Sequence, residues 1–324
     1  MLTLAARREL RSGGQVIERT PLLVPSFSSR LAQINKIFQA CSEFIEGAYL
    51  ISAYDVRRSL LSPPYDVGSL VFLDSGGYEV SKDTDLSDVS DRPPAPDDWR
   101  EPEQAEFVSG WRPSIPSVII SFDHPNARQP IESQIAAAKK LPQGPNICRE
   151  ILVKPETKDQ QFVPVVESLL PQVRALCDFD AVGITEKEIG NSVFERMINI
   201  ARLRLALQKV GLEIPIHLFG SLDSITTLYY FVAGADIFDG LAWLRYAFVD
   251  GLTIYRQNFG LLQLDISTKA PQVEAVCWCR NYHYIKNMQL EMRRFLKAAD
   301  FAVFKHHGEL LRAAYQNVEE ELGG

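Results

Sequence analysis

Val71-Phe72-Leu73-Asp74-Ser75-Gly76-Gly77-Tyr78 runs an apolar strand into a carboxylate and then into two adjacent glycines. A barrel enzyme presents an acid to a pocket in this way. Glycine lets backbone come close to a flat ligand, and Tyr78 offers an aromatic face for stacking. An ordinary strand-to-turn junction reads the same, because Asp-Ser-Gly-Gly is favoured turn chemistry. What separates the two readings is how often the chain repeats the pattern.

Short β-rich runs recur at residues 21–25, 48–54, 68–75, 117–123, 150–155, 179–185, 214–220 and 235–241. Most are continuous in polarity, as in Leu22-Leu23-Val24 and Val118-Ile119-Ile120, which suits parallel strands covered on both faces. Helical patterns lie between several of them, at 29–44, 130–140, 163–176, 192–210 and 224–233. The alternation predicts an α/β chain folded as a (β/α)8 TIM barrel over residues 1–269, with an open doubly wound sheet as the alternative. Residues 81–116 interrupt it with an acidic, proline-rich insertion, a lid or a plain loop, in which Trp99, Phe107 and Trp111 imply some packing. Residues 270–324 read as a cysteine-containing segment followed by long helices, a helical appendage to the barrel.

Composition narrows the class. In 324 residues, 46% hydrophobic and 23% charged, no apolar run approaches the length of a bilayer span. Arg7 and Arg8 interrupt any signal-like core at the N-terminus, so the expected location is the cytoplasm, with no membrane partner. Five cysteines, an odd number in a large chain, argue for reduced thiols. The net charge of -7 gives no general sign of nucleic-acid binding. Arg280, Lys286, Arg293, Arg294, Lys297 and Lys305 crowd the C-terminal region, either as a local basic patch or as a solvated helix face.

Barrel active sites lie at the C-terminal ends of the strands. There this chain places Asp74, Ser121-Phe122-Asp123-His124, Lys154, Gly183-Ile184-Thr185, His217-Leu218-Phe219-Gly220 and Asp236-Ile237-Phe238-Asp239-Gly240. Several carboxylates in one pocket divide into nucleophile, proton-transfer group and ligand anchor when their surroundings separate their pKa values.

These residues resemble the tRNA-guanine transglycosylases and their DNA-acting relatives. Thr20-Pro21 through Pro25 is similar to that family's opening strand, and Leu73-Asp74-Ser75-Gly76-Gly77-Tyr78 to its Asp-Ser-Gly-Gly-aromatic signature. Ser121-Phe122-Asp123 resembles its base-recognition strand, Phe219-Gly220 its Met-Gly strand end, and Asp236-Ile237-Phe238-Asp239 its nucleophile motif. The resemblance implies a pentosyltransferase that exchanges guanine in a nucleic acid for a 7-deazaguanine base. In it Asp239 is the nucleophile at C1′ and Asp74 the general acid/base. Asp123 pairs with the base edge, Tyr78 stacks, and Gly77, Lys154, Gly183, Gly220 and Arg245 complete the substrate contacts. Asp236 reads as structural, and His124 and His217 as hydrogen-bonded pocket or core residues.

The chain also departs from the family pattern. Lys154 stands where a base-contacting glutamine is usual, Ile184 replaces a glycine, Glu79 a glutamine and Gly240 a cysteine, while Arg245 matches and Phe248 replaces a second arginine. These changes touch the reading of an anticodon loop, and they favour DNA over tRNA as the polymer. The family's zinc motif is reduced to Cys277 and Cys279, with His283 and His307 (or His306) left to complete a structural Zn2+ site. A homodimer is expected by resemblance. Two other functions stay open: a non-catalytic binding subunit, and an unrelated barrel hydrolase or lyase sharing only the architecture.

Overall fold

The computed structural model describes residues 4–80, 99–123, 128–157 and 165–323. The body of the acidic insertion, 81–98, and His124 lie outside the described residues. Each of the eight apolar runs holds a strand: β1 Leu22–Pro25, β2 Ala48–Ser52, β3 Leu70–Asp74, β4 Ser117–Ile120, β5 Ile147–Val153, β6 Ala181–Thr185, β7 Ile216–Phe219 and β8 Ile237–Gly240. They form one parallel sheet in the order β1-β8-β7-β6-β5-β4-β3-β2. The ring is drawn nearly shut where Ser26 bridges Leu50 and the Phe27 N–H donates to the Leu50 carbonyl at 2.9 Å. The architecture is therefore a TIM-like barrel, not an open doubly wound sheet.

The continuous apolar runs follow from this geometry. Successive side chains point to opposite faces of a strand, and here both faces are buried. Inward positions such as Val24, Leu50, Phe72, Ile120, Leu152 and Ile237 form one cluster. Outward positions such as Leu23, Ile51, Leu73, Ile119, Val153 and Phe238 pack under the surrounding helices in another.

An antiparallel hairpin, Glu9–Ser12 with Gln15–Arg19, stoppers the N-terminal end of the barrel. Its Leu10 joins the interior cluster. Ser12 Oγ donates to Gly144 O at 2.9 Å, and Cys148 Sγ donates to Arg11 O at 3.4 Å. Close by, Asp236 is held between two guanidiniums. Arg8 Nη1 donates to its Oδ1 at 2.9 Å, while Arg204 Nη2 and the Ile216 N–H, the latter at 2.8 Å, donate to its Oδ2. All three charged side chains are buried, so Asp236 serves the fold, as its sequence reading implies.

The C-terminal region is helical, with a 29-residue helix Ala270–Ala298 and a final helix Gly308–Gly323. Pro271 opens the long helix at a position where its missing N–H costs nothing. Gln289 Nε2 donates to Pro21 O at 2.7 Å, and Asn281 Nδ2 donates to Trp243 O at 2.6 Å. Ile285, Met288, Leu311 and Val318 share the outer cluster of the barrel. No helix among the described residues is long and apolar enough to cross a membrane.

Candidate active site

A cavity of about 110 Å³ opens at the C-terminal ends of the strands, lined by Ser26, Ser28, Asp74, Gly77, Tyr78, Glu79, Asp123, Lys154, Thr185, Phe219, Gly220 and Asp239 among others. One water takes roughly 10–15 Å³ by this measure, so the space suits a small planar molecule. Asp74, Asp123 and Asp239 thus meet at one cavity from β3, from the segment after β4 and from β8.

Asp74 closes β3, and the chain then turns sharply. Gly76 has φ of 94°, a region that favours glycine. A Cβ there would also lie 2.5 Å from Tyr54 Cβ and 2.8 Å from Trp99 Nε1. Trp99 fixes the turn by donating to Ser75 O at 2.8 Å. The turn folds Ser75 back so that its Oγ donates to Asp123 Oδ1 and accepts from the Gly77 N–H at 3.0 Å. A side chain at Gly77 would run into the Asp123 carboxylate. Tyr78 is gripped at both ends: Arg245 Nη2 donates to its hydroxyl at 2.8 Å, and the Arg30 guanidinium sits 5.0 Å from its ring centroid.

Burial drives the Asp74 pKa well above the usual carboxylate range, and the charges of Asp123, Glu79 and Asp239 push it the same way against one opposing backbone N–H at Gly76. Asp74 is therefore suited to hold a proton. Asp239 has different neighbours. Ser26 Oγ donates to its Oδ2 at 2.8 Å, the Gly220 N–H donates to its Oδ1 at 3.1 Å, and His217 Nε2 stands 3.4 Å from Oδ1. Gly220 reaches it with φ of 78°, again a glycine conformation.

Lys154 follows β5 into the cavity wall, where Nζ donates to Thr185 Oγ1 at 2.6 Å and to Glu188 Oε2 at 3.1 Å and lies 3.5 Å from Asp123 Oδ2. Arg128 shares Glu188 at 3.2 Å. Gly183 sits one layer lower and does not line the cavity. A Cβ there would be 2.5 Å from Phe219 Cε2 and 2.6 Å from Glu150 Oε1, so the position is kept empty by protein neighbours.

The four expected zinc ligands are not gathered. Cys277 and Cys279 lie two apart on one helix, a spacing whose side chains do not face each other. The Cys277 thiol is buried beside Phe259 and Val273, and burial pushes it up to about 11. Cys279 Sγ lies 3.8 Å from His283 Nδ1 a turn later, and His307 Nε2 is 2.7 Å from Gly251 O. Among the described residues no group of three or more metal-binding side chains converges. As placed, these residues do not fit a tetrahedral site.

Sequence reasoning overlooked Ser26, Ser28 and Glu150 at the site. It also overlooked Asp55 near Asp74, and it read Glu79, which lines the cavity, only as a departure from the family pattern. Burial raises Asp55 to about 7 and Glu79 to about 8; each raises the other or Asp74 further, against donors from Ser29 and Ser28. His217 is raised to about 9, because Glu150 and Asp239 outweigh the lowering by burial. Every one of these groups binds its proton more tightly folded than unfolded, so unfolding releases protons and stability falls as pH rises. The carboxyl contributions are full below about pH 4 and lost through about 7 to 8; that of His217 is full below about 6.5 and lost through about 9. The thermal midpoint should drop by roughly 5 °C from pH 6 to pH 9, and less in Glu79→Gln, as read by calorimetry. A midpoint that climbs toward pH 9 would contradict the assignment.

Compared with models of known protein families the chain matches none, and a comparison with curated proteins likewise finds no match.

Proposed function

We propose that this protein is a transglycosylase that exchanges guanine in a nucleic acid for a 7-deazaguanine base through a covalent Asp239 glycosyl intermediate, with DNA as the favoured polymer. The observation that carries the reading is the convergence of Asp74, Asp123 and Asp239 with Tyr78 on one cavity, in unlike electrostatic settings. An Asp239 oxygen attacks C1′ of the target nucleotide, and the C1′–N9 bond breaks with its electron pair moving to the base, which takes the Asp74 proton. The incoming base returns a proton from N9 to the Asp74 carboxylate as N9 bonds to C1′. The ester C–O bond breaks and Asp239 recovers its electron pair.

Asp123 accepts from the two donors of the guanine N1 and amino edge, and Ser75 and Gly77 hold it in place for that task. Tyr78, steadied by Arg245 and Arg30, stacks on the base. Lys154 and Lys187 line the cavity beside its carboxylates, and Arg30 and Arg245 stand at Tyr78, cations available to a phosphate backbone. The target nucleotide must leave its stack to enter so small a pocket.

DNA is favoured because Phe248, at the place of the second arginine, is buried with its N–H donating to Asn281 at 2.8 Å and offers no cation to an RNA loop. Incubation with duplex DNA or tRNA and a 7-deazaguanine, read by intact mass, tests the proposal. A protein–DNA adduct and released guanine are expected, while an adduct with tRNA alone would move the substrate to tRNA. No adduct and no exchange with either polymer would defeat the reading.

A further inference from the structure

Beneath Asp239 the barrel interior holds a charged pair that the exchange reaction above does not use. Glu150 on β5 and His217 on β7 are both fully buried, and His217 Nδ1 lies 2.8 Å from Glu150 Oε1. The other ring nitrogen, Nε2, has Asp239 Oδ1 at 3.4 Å and makes no well-formed hydrogen bond among the described residues. Phe219 stacks on the imidazole at 3.9 Å between centroids, and Phe72 meets it edge-on at 5.4 Å. β6 lies between the two strands, and it is Gly183, opposite His217 in register, that leaves room for Glu150 and Phe219.

Such a pair is a poor way to stabilise a barrel. Well-packed apolar residues of the same volume usually do as well or better than a buried ion pair, and the neighbouring inward positions are apolar. Charge balance explains it instead. Two buried carboxyl groups, Glu150 and Asp239, flank one imidazole; burial and the Asp239 charge raise Glu150 while the His217 charge and hydrogen bond lower it, and with an imidazolium one cation serves both.

We propose that Glu150 and His217 are positioning residues for Asp239: Glu150 holds His217 as a permanent imidazolium, and its Nε2 edge keeps the attacking carboxylate ionised and correctly turned. The inference rests on the transglycosylase reading for its catalytic consequence, but the charge on His217 is a property of the protein alone. In the first displacement the cation keeps Asp239 charged. In the second it favours return of the electron pair from the glycosyl ester to the carboxylate, so its loss affects turnover more than binding.

The groups facing the ring are Glu150 on β5 and Asp239 on β8, with Phe72 and Phe219 otherwise. The full-length chain, labelled with ¹⁵N-histidine, should show both His217 nitrogens protonated at pH 7. Asp239→Asn should lower the His217 midpoint by about 1 to 3 pH units. Kinetically, Glu150→Gln should reduce kcat about 10²-fold with KM little changed. It should also lower the His217 midpoint read in the same ¹⁵N titration, whereas a purely structural role would leave that midpoint in place, and Glu150→Asp should restore part of the loss. A neutral His217 at pH 7, or a midpoint indifferent to Asp239→Asn, overturns the proposal even if Glu150→Gln fails to fold. An unmoved His217 midpoint in a folded Glu150→Gln also overturns it. A wild-type protein that exchanges no base defeats the transglycosylase reading, and the histidine titration then decides the charged pair by itself.

Discussion

Asp239→Asn is expected to abolish the covalent adduct and to lower base exchange by about 10⁴-fold or more, the loss seen when a covalent nucleophile is removed. Asparagine keeps the shape: its oxygen can accept from the Gly220 N–H while its NH2 donates to the Ser26 hydroxyl, which reverses its role, so the fold should survive. What disappears is the oxygen able to bond to C1′ as an anion. Circular dichroism and a thermal midpoint within a few degrees of wild type would show an intact barrel. Adduct formation and exchange near the wild-type rate would show that another group carries the chemistry.

Asp236→Ala should do the reverse, weakening the fold while leaving the pocket chemistry of the surviving folded fraction unchanged. The substitution strips the buried counter-ion from Arg8 and Arg204, leaving them only the exposed Glu213, 3.4 Å from Arg8 Nε, and leaves the Ile216 N–H without its carboxylate. Removing one partner of a buried charge cluster costs about 3–5 kcal/mol, which in a chain of this size corresponds to on the order of 10 °C in midpoint. Denaturant titration checks it, and a loss below about 1 kcal/mol would mean that the arginines find other partners. The two aspartates stand only three residues apart, roughly 10 Å along one strand. Asp239 points into the barrel at its open end, and Asp236 points outward at the other.

How much of this was legible depended on which residues had to meet. The strands were readable because burial on both faces leaves an unbroken apolar run, and each of the eight runs holds one. Of the helix expected at 163–176, the described residues form a single-turn α-helix, Val166–Leu169, followed by the 3-10 segment Leu170–Asp178, in which Pro171 cannot supply the N–H of a continuing α-helix. The hairpins Glu9–Ser12 with Gln15–Arg19 and Ala247–Val249 with Leu252–Ile254 went unread, although Gly13-Gly14 and Asp250-Gly251 are recognised turn pairs. Asp74, Asp123, Tyr78 and Asp239 were named because they lie at or just beyond the C-terminal ends of strands, which are visible in sequence, and because of the family resemblance. Glu150 was not, because it sits inside a strand that starts at Ile147, and its partner lies across an intervening strand whose glycine makes the space. The zinc set came from resemblance to a motif, and a motif does not show that Cys277 and Cys279 lie two apart on a continuous helix.

The seam of the barrel has its own consequence. Asp239 takes its hydrogen bond from Ser26, 213 residues earlier, across the line where the first strand meets the last. Drawing together ends so distant carries an entropic penalty that only the completed ring recovers. A partly wound sheet with most strands in place therefore has its acids but no clasp for the nucleophile. Under the proposed chemistry, closing the ring is thus also what completes the setting of the nucleophile.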